Sequence, residues 1–272
     1  MPPDSHSPKR RPALGRAIAG ASLALLTACT LPGPDEVSRD GIFDPYEARN
    51  RKVHESSKRL DREVLRPVAL AYAENVPDTA QILIGNFADN LSVPGAVVNQ
   101  LLQVDLQGAL HNTVRFGVNS TLGFGGIFDV AADFGIEEDD SDFGATLAVW
   151  GVPEGAYLEL PVIGPSTERD AIGVAVDLVL DPLNAIARPH SYYLKGARIV
   201  ARVGKRGRFA SNVDSILYDS ADSYAQTRLL YLQNRRFELD QAGAGGDGGE
   251  IDPYSELYDD EIDPYSELYG VE

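Results

Sequence analysis

This 272-residue chain has one cysteine, one methionine, one tryptophan and four histidines. A single thiol excludes an intramolecular disulfide framework and a thiolate zinc cluster. His6, His54, His111 and His190 are too scattered to read as a metal site, so no metal and no other cofactor is expected. Cationic residues are scarce as well: 24 Lys and Arg stand against 41 Asp and Glu, a formal charge of −17. Binding a nucleic-acid backbone takes a basic footprint that releases counterions, and none exists beyond the first sixteen residues, so nucleic acid is not an expected partner. The familiar catalytic signatures are missing too. There is no Gly-x-Ser-x-Gly turn and no P-loop, and Gly123-x-Gly125-Gly126 lacks the third glycine and the strand context of a dinucleotide fingerprint. Nothing in the spacing pairs two carboxylates as acid and base, so catalysis is not expected.

What the chain does have begins at its N-terminus. Lys9, Arg10, Arg11 and Arg16 form a basic region, residues 17–28 (AIAGASLALLTA) carry no charge, and Cys29 follows. This is the layout of a secretory signal peptide, too short for the roughly twenty apolar residues that span a hydrocarbon core of about 30 Å. Leu26-Thr27-Ala28-Cys29 resembles the bacterial lipobox, in which small residues fit the peptidase and the cysteine thiol takes a diacylglyceryl group. Cleavage after Ala28 would leave acylated Cys29 as the first residue. The alternative is an ordinary signal peptide with a chance cysteine, but the only Cys of the chain falls at the one place a lipobox requires. Thr30 stands where an aspartate would signal inner-membrane retention in many enterobacterial lipoproteins, so the expected location is the periplasmic face of the outer membrane. The modification carries several acyl chains, each buried CH₂ contributing about 0.8 kcal/mol.

Without residues 1–28 the chain holds 20 Lys and Arg against 40 Asp and Glu, a net charge of −20. Residues 238–272 carry twelve of those acids and no Lys or Arg, leaving only −8 on residues 29–237. That acidic end opens with a glycine-rich stretch at 242–249 and then repeats EIDPYSELY at 250–258 and 261–269. Such a segment buries too little apolar surface to offset its ordering entropy, so disorder is expected. The repeat is either a duplicated docking motif, two tyrosines per copy, for a basic partner, or a slippage duplication in a solubilising tail. The organisation expected is therefore a signal peptide (1–28), a linker (29–43), a helical domain (44–237) and a disordered acidic tail (238–272).

The body reads as all-α. A helix over 46–75 carries Val53, Leu60, Val64 and Val68 at apolar spacing, with Pro67 placed to kink or split it. A second, over 79–90, aligns Ile82, Leu83, Phe87 and Leu91 on one stripe, and helices at 94–102 and 106–116 follow, the latter with Leu106, Leu110 and Val114 on one face. Thr167 and Asp170 form a capping pair for a helix over 168–180, and two more are expected at 191–203 and 213–237. No window alternates well enough to demand a sheet. Residues 116–128 and 143–165 are apolar yet dense in Gly and Pro, and each helix-interior Gly costs about 1 kcal/mol relative to Ala. They fit short amphipathic segments half immersed in one leaflet, or the core and loops of a soluble domain; amphipathicity does not say whether an apolar face meets protein or lipid.

Several runs then carry a resemblance: Asp44-Pro45-Tyr46-Glu47, Leu60-Asp61-Arg62-Glu63-Val64-Leu65-Arg66-Pro67, Asn86-Phe87-Ala88-Asp89-Asn90-Leu91 and Val98-Asn99-Gln100-Leu101-Leu102-Gln103. So do Arg115-Phe116-Gly117-Val118-Asn119-Ser120-Thr121-Leu122-Gly123, Gly125-Gly126-Ile127-Phe128-Asp129-Val130-Ala131, Phe143-Gly144-Ala145-Thr146-Leu147, and Gly164-Pro165-Ser166-Thr167 with Arg169-Asp170. In this order and spacing, over about residues 44–180, the chain resembles the VacJ/MlaA lipoprotein family. The resemblance implies a single ring-like body of short amphipathic helices with a Gly/Pro-rich hairpin, seated in the inner leaflet of the outer membrane. It implies an amphipathic channel that passes stray outer-leaflet phospholipids to a soluble periplasmic lipid carrier, and association with a trimeric porin.

A channel for phospholipid needs a polar path for the headgroup beside an apolar one for the chains. Phe116, Leu122, Phe124, Ile127 and Phe128 are candidates for the apolar side, and Asn119, Ser120, Thr121 and Asp129 for the polar side. Gly151, Gly155 and Gly164 bracket a hairpin at 152–163, flanked by Trp150 and Tyr157, that either gates the channel or is a static turn. The first helix departs from the family: Arg49, His54 and Ser56 stand where relatives usually place aromatic residues, which argues against its immersion in lipid. The competing reading is a non-transporting structural lipoprotein that tethers porins or other envelope proteins through its tail.

Overall fold

A computed structural model describes residues 29–32, 41–187, 189–241 and 243. The signal segment with Ala28, and the repeats at 250–269, lie outside the described residues. The body is built of α1 (Glu47–Leu60), α2 (Arg66–Asn75), α3 (Asp78–Asn90), α4 (Val93–Leu102), α5 (Leu106–Thr121), α6 (Val130–Asp133) and α7 (Phe143–Val149). A hairpin of β1 (Tyr157–Leu160) and β2 (Gly164–Thr167) follows, then α8 (Glu168–Leu180), α9 (His190–Arg208), α10 (Ala210–Asp214) and α11 (Ser223–Gln241).

The packing contacts close a circuit. α1 packs on β1, β1 on α8, α8 on α7, α7 on α4, α4 on α5, α5 on α3, α3 on α9, and α9 on α2, which continues back into α1. That closed order of neighbours is the ring. Pro67 neither breaks nor splits the first helix: α1 and α2 join through a single π turn, Asp61–Leu65, in which the Arg66 N–H reaches the Asp61 carbonyl. Proline has no N–H for the carbonyl four residues back and its ring crowds that carbonyl, so the widened turn absorbs both defects.

Two apolar clusters anchor the body, one of Ile42, Tyr157, Tyr224 and Leu232, the other of Cys29, Phe143, Leu147 and Val152. Ile42 and Phe43, on the sequence boundary of the expected linker, are buried, and α11 runs past residue 237 to Gln241 with Leu239 buried. Much of the remaining interior is polar. α5 buries Ala109, Asn112, Arg115 and Asn119 and leaves Leu106 and Leu110 about 66% and 65% exposed. α3 buries Gln81, Ala88 and Asn90, while Ile82 of its apolar stripe faces outward. The helical periodicity is as expected; the side that packs is the other one. Most buried polar groups are paired, as burial requires: the Asn112 amide donates to Gln100 Oε1 at 2.9 Å and to the Asp139 carbonyl at 2.6 Å.

The sheet that no alternation demanded is a two-stranded antiparallel hairpin with Tyr157 opposite Thr167 and Leu160 opposite Gly164. Its inward positions are Tyr157 and Glu159, and its two leucines point the other way, so hydropathy alternation is hidden. Its turn lies at 161–163, several residues later than the centre of the expected hairpin, with Val162 at φ 69°. α9 continues through Gly204 and Gly207 to Arg208 because those glycines let it approach α2. A Cβ on Gly204 would stand 3.0 Å from the Tyr72 ring, and one on Gly207 would meet the Ala69 carbonyl. The helix expected over 213–237 instead breaks, with α10 and a π turn (Ser215–Asp219) preceding α11.

The first helix is held by polar bonds, in keeping with its departure from the family pattern. His54, 2% exposed, bridges Glu159 of β1 (Nδ1 to Oε1, 3.2 Å) and Ser223 of α11 (Nε2 to Oγ, 3.1 Å). Asn50 donates to the Tyr157 carbonyl and accepts from the Glu159 N–H, while Asp44 accepts from Asn50, Tyr224 and Arg228.

Interior charge sets the response to acid. Burial pushes Asp61, Asp170 and Asp214 upward, but the Arg206 and Tyr218 hydrogen bonds on Asp61, the Arg235 and Arg169 charges on Asp170, and the Arg206 and Arg66 bonds on Asp214 outweigh it and hold all three below the usual carboxylate range. Asp222, bonded to Arg51, is lowered to about 2. Depressed folded values contribute stability that is present at neutral pH and lost as pH falls through them. Glu138 and Asp140 behave oppositely: they are raised by desolvation and by their acidic neighbours. Raised values oppose folding at neutral pH and that opposition fades on protonation. Urea midpoints should therefore rise as pH falls from 7 to about 5 and drop below about 4, with Asp140→Asn flattening the first limb. A midpoint that declined steadily from pH 7 downward would contradict this balance.

Candidate functional site

A cavity of about 700 Å³ opens between α9, the end of α3, the π turn after α1, and the tip of the hairpin. Volumes of this order hold small ligands in many proteins. Its walls are of two kinds. Leu65, Ala88, Val162, Ile199, Ala201 and Val203 supply apolar surface, and Arg198, Arg202, Lys205 and Arg206 supply positive charge. The four cations lie at i, i+4, i+7 and i+8 of α9, which puts them on one face of the helix. A second cavity of about 280 Å³ between α4 and α8 shares Ser92 and Arg198 with the first.

Three of the four cations are tied to carboxylates. Arg206 grips Asp61 with two bonds (Nε to Oδ1, 2.9 Å; Nη2 to Oδ2, 2.7 Å) and reaches Asp214 at 2.7 Å, while the Tyr218 hydroxyl donates to Asp61 at 2.7 Å. Arg198 pairs with Asp181 at 3.0 Å and Lys205 with Asp89 at 3.0 Å. Desolvation and the Asp61 bond push the Tyr218 hydroxyl up to about 12, so it stays protonated and donating. Arg202 makes no ion pair among the described residues and is exposed at the cavity. The site thus presents fixed, mostly compensated charge on one wall, one uncompensated guanidinium, and an apolar wall beside them.

None of the nine channel candidates lines this cavity. Asn119, Asp129 and Arg115 form a network that caps α6: Arg115 Nη2 and Asn119 Nδ2 donate to the two Asp129 oxygens at 2.8 and 2.9 Å, and Asn119 accepts from the Ala131 N–H. Burial raises Asp129, and the Asn119 and Arg115 bonds more than reverse it, leaving a carboxylate held low. Ser120 lies at hydrogen-bond distance from Asn90 and Thr121 bonds back to the Gly117 carbonyl. Phe116 is half-buried; Leu122, Ile127 and Phe128 are exposed, and Phe124, 75% exposed, sits at φ 53° with its ring edge-on to Phe128. The structure therefore joins Asn119 and Asp129 in one network and leaves Leu122, Phe124, Ile127 and Phe128 exposed. The α9 cations were missed because single charged residues on a helix read as solvated surface; their one-face spacing was the available signal.

Gly151, Gly155 and Gly164 all have positive φ, 82°, 73° and 101°, conformations that side chains avoid. Only Gly155 is also crowded: a Cβ there would stand 2.7 Å from Glu168 Oε2 and 2.9 Å from Glu168 Cβ, whereas Gly151 and Gly164 face open space. Gly155→Ala should cost about 2–3 kcal/mol against about 1 for Gly151→Ala, read from urea unfolding. Equal costs would mean that the close approach to Glu168 is relieved freely. Val162, between them at the hairpin tip, reaches the cavity.

Among the described residues, no helix is long and apolar enough to cross a membrane, and no group of His, Cys, Asp and Glu is placed to hold a metal ion. The chain is 34% identical over 195 residues, 71% of its length and 77% of the other's, to an uncharacterised protein of Rickettsia typhi. It is 34% identical over 234 residues, 84% of its length and 87% of the relative's, to the intermembrane phospholipid transport system lipoprotein MlaA of Escherichia coli. A solved structure described as the structural basis for maintenance of bacterial outer membrane lipid asymmetry superposes with a TM-score of 0.63 at 32% identity, over 72% of this chain and 98% of that one. The sequence pattern of the MlaA lipoprotein matches residues 42–238, and the chain belongs to that family.

Proposed function

We propose that this protein removes phospholipids from the outer leaflet of the outer membrane by passing them through the cavity beside α9 toward the periplasm, maintaining lipid asymmetry. The observation that carries the reading is the cavity's two-sided wall, cations beside aliphatic side chains, because a phospholipid presents a phosphate and acyl chains side by side. The outer surface supports it. Val98, Leu101 and Leu102 of α4, Leu106, Leu110 and Val114 of α5, and Phe124 and Phe128 are all exposed, although exposed apolar surface on a water-soluble body is normally broken up. Such a face suits an acyl environment and places the polar ring interior in register with it. The names of the relatives agree, since they describe intermembrane phospholipid transport. Transport requires no catalytic group.

In this reading Cys29 is acylated after cleavage at Ala28 and anchors the body to the inner leaflet of the outer membrane. A soluble periplasmic carrier receives the lipid, and a trimeric porin is a neighbour. The hairpin with Val162 at its tip meets the lipid path, and Leu122, Phe124, Ile127 and Phe128 meet bilayer on the outside. The test is surface phospholipid in intact cells, read with an impermeant amine label, in a deletion strain complemented with wild type, Cys29→Ala, or a chain lacking residues 244–272. Wild type and the tail-less chain should restore the low level and Cys29→Ala should not. Unchanged surface phospholipid on deletion, or full loss of function with the tail alone, would favour the tethering role instead.

A further inference from the structure

Cys29 does not sit on a free strand. It is buried, 6% exposed, against Phe143, Leu147 and Val152, with Ile172 and Val176 of α8 beside them. The next residue is clamped: Thr30 donates its N–H to Glu168 Oε2 at 2.6 Å and its hydroxyl to Glu168 Oε1 at 2.9 Å. Gly155 makes the approach possible, since a Cβ there would meet both Glu168 and Cys29 Cβ, the latter at 3.2 Å. Beside Glu168, Arg169 is 5% exposed, yet its Nε and Nη2 have no hydrogen-bond partner among the described residues. Its nearest carboxylate oxygen, Asp170 Oδ1, lies 3.5 Å from Nε and already receives Arg235 Nη2 at 3.1 Å. Buried guanidinium N–H groups are ordinarily paired, so two idle donors point to an acceptor that the described residues do not supply. Arg169 is also near enough to the thiol for its charge to act on Cys29, against the upward push of burial and of Glu168.

We propose that this cluster is a socket for the protein's own lipid anchor: Arg169 donates to the ester and amide carbonyls of acylated Cys29, Glu168 clamps Thr30, and the α7–α8 seam holds the first methylenes. Ester and amide carbonyls are acceptors without charge, suited to donors in an apolar wall. The anchor then leaves the body at a fixed point, and the polar ring is held at a set height and tilt against the leaflet. The inference rests on the acylation of Cys29 proposed above.

The test uses full-length protein labelled in cells with an alkyne-bearing palmitate, carrying a site-specific protease sequence in place of residues 34–39, and immobilised by its C-terminus in detergent. After cleavage the labelled lipopeptide should stay on the wild-type body through washing, because a peptide that merely shares the micelle exchanges away. Arg169→Met and Thr30→Val should each shed the label about tenfold faster, a change in off-rate of the kind that loss of one anchoring contact produces. Thr30 is exposed, so its variant keeps the body folded, and an unchanged melting temperature verifies that. Label lost from wild type as fast as from both variants overturns the socket. Absence of palmitate label from the wild type overturns the acylation of Cys29 itself, a failure the first readout distinguishes.

Discussion

Reversing one charge in the cavity, with Arg202→Glu, should raise surface phospholipid to the level of a deletion strain while leaving the protein folded and membrane-bound. Arg198, Lys205 and Arg206 already face Asp181, Asp89 and the Asp61–Asp214 pair, so a headgroup phosphate approaching them competes with carboxylates in place. Arg202 has no such competitor among the described residues, and its guanidinium offers the bidentate fork that suits a phosphate. A glutamate there puts a like charge at the point where the phosphate must pass. Because Arg202 is exposed and makes no ion pair, its replacement should change stability by no more than about 0.5 kcal/mol. Arg202→Lys should retain most of the activity. The comparison is made by amine labelling of intact cells complemented with each variant at matched protein levels. Wild-type surface phospholipid in the Arg202→Glu strain would remove the cavity from the transport path.

The largest effect on stability is expected at Asp170. Its Oδ1 receives Arg235 Nη2 at 3.1 Å and lies near Arg169, while its Oδ2 accepts the Tyr231 hydroxyl at 2.6 Å and the Thr167 hydroxyl at 3.0 Å. Its own N–H is bonded to Thr167 Oγ1 at 3.1 Å, the capping bond that starts α8. The side chain is 7% exposed, so water cannot replace these partners. Asp170→Ala would take one bond from the mostly buried Arg235 guanidinium and one from the half-buried Tyr231 phenol and remove the carboxylate charge facing Arg169, and removal of one member of a buried charge network costs about 3–5 kcal/mol. Urea denaturation of the purified protein gives the difference directly. A loss below about 1 kcal/mol would show that Arg235 is sufficiently satisfied by Asp142 and that the Asp170 network contributes little.

Both residues stand on helices that hydrophobic spacing and capping chemistry located. Thr167 and Asp170 set the start of α8, and Glu168–Leu180 is its observed span. Leu106, Leu110 and Val114 do share one face of α5. A hairpin was legible at 152–163, but not that it is a two-stranded sheet, because Tyr157 and Glu159, an aromatic and an acid, are the inward pair and the leucines face away. The cavity escaped it because Asp61, Asp89, Val162 and Arg202 are far apart along the chain, and only the packing of α9 on α2 and α3 brings them to one space. Residues 116–129 were candidates for the lipid path because they are apolar and glycine-rich. In the fold Asn119 and Asp129 cap α6 and Phe124 is exposed.

By itself, then, the sequence determined the helical class, the lone cysteine in a lipobox-like run, the order of family motifs and the acidic asymmetry of the C-terminal end. Each of these is local: a 3.6-residue period, a cap, a spacing or a charge count is complete within a short window. Only the tertiary structure decided that Leu106 and Leu110 are exposed while Asn112 and Arg115 are buried, that the α9 cations share a cavity with the hairpin tip, and that Cys29 packs beside Gly155 within reach of the Arg169 charge. The physical reason is that amphipathicity fixes which residues share a face and is silent on whether that face meets protein, water or lipid.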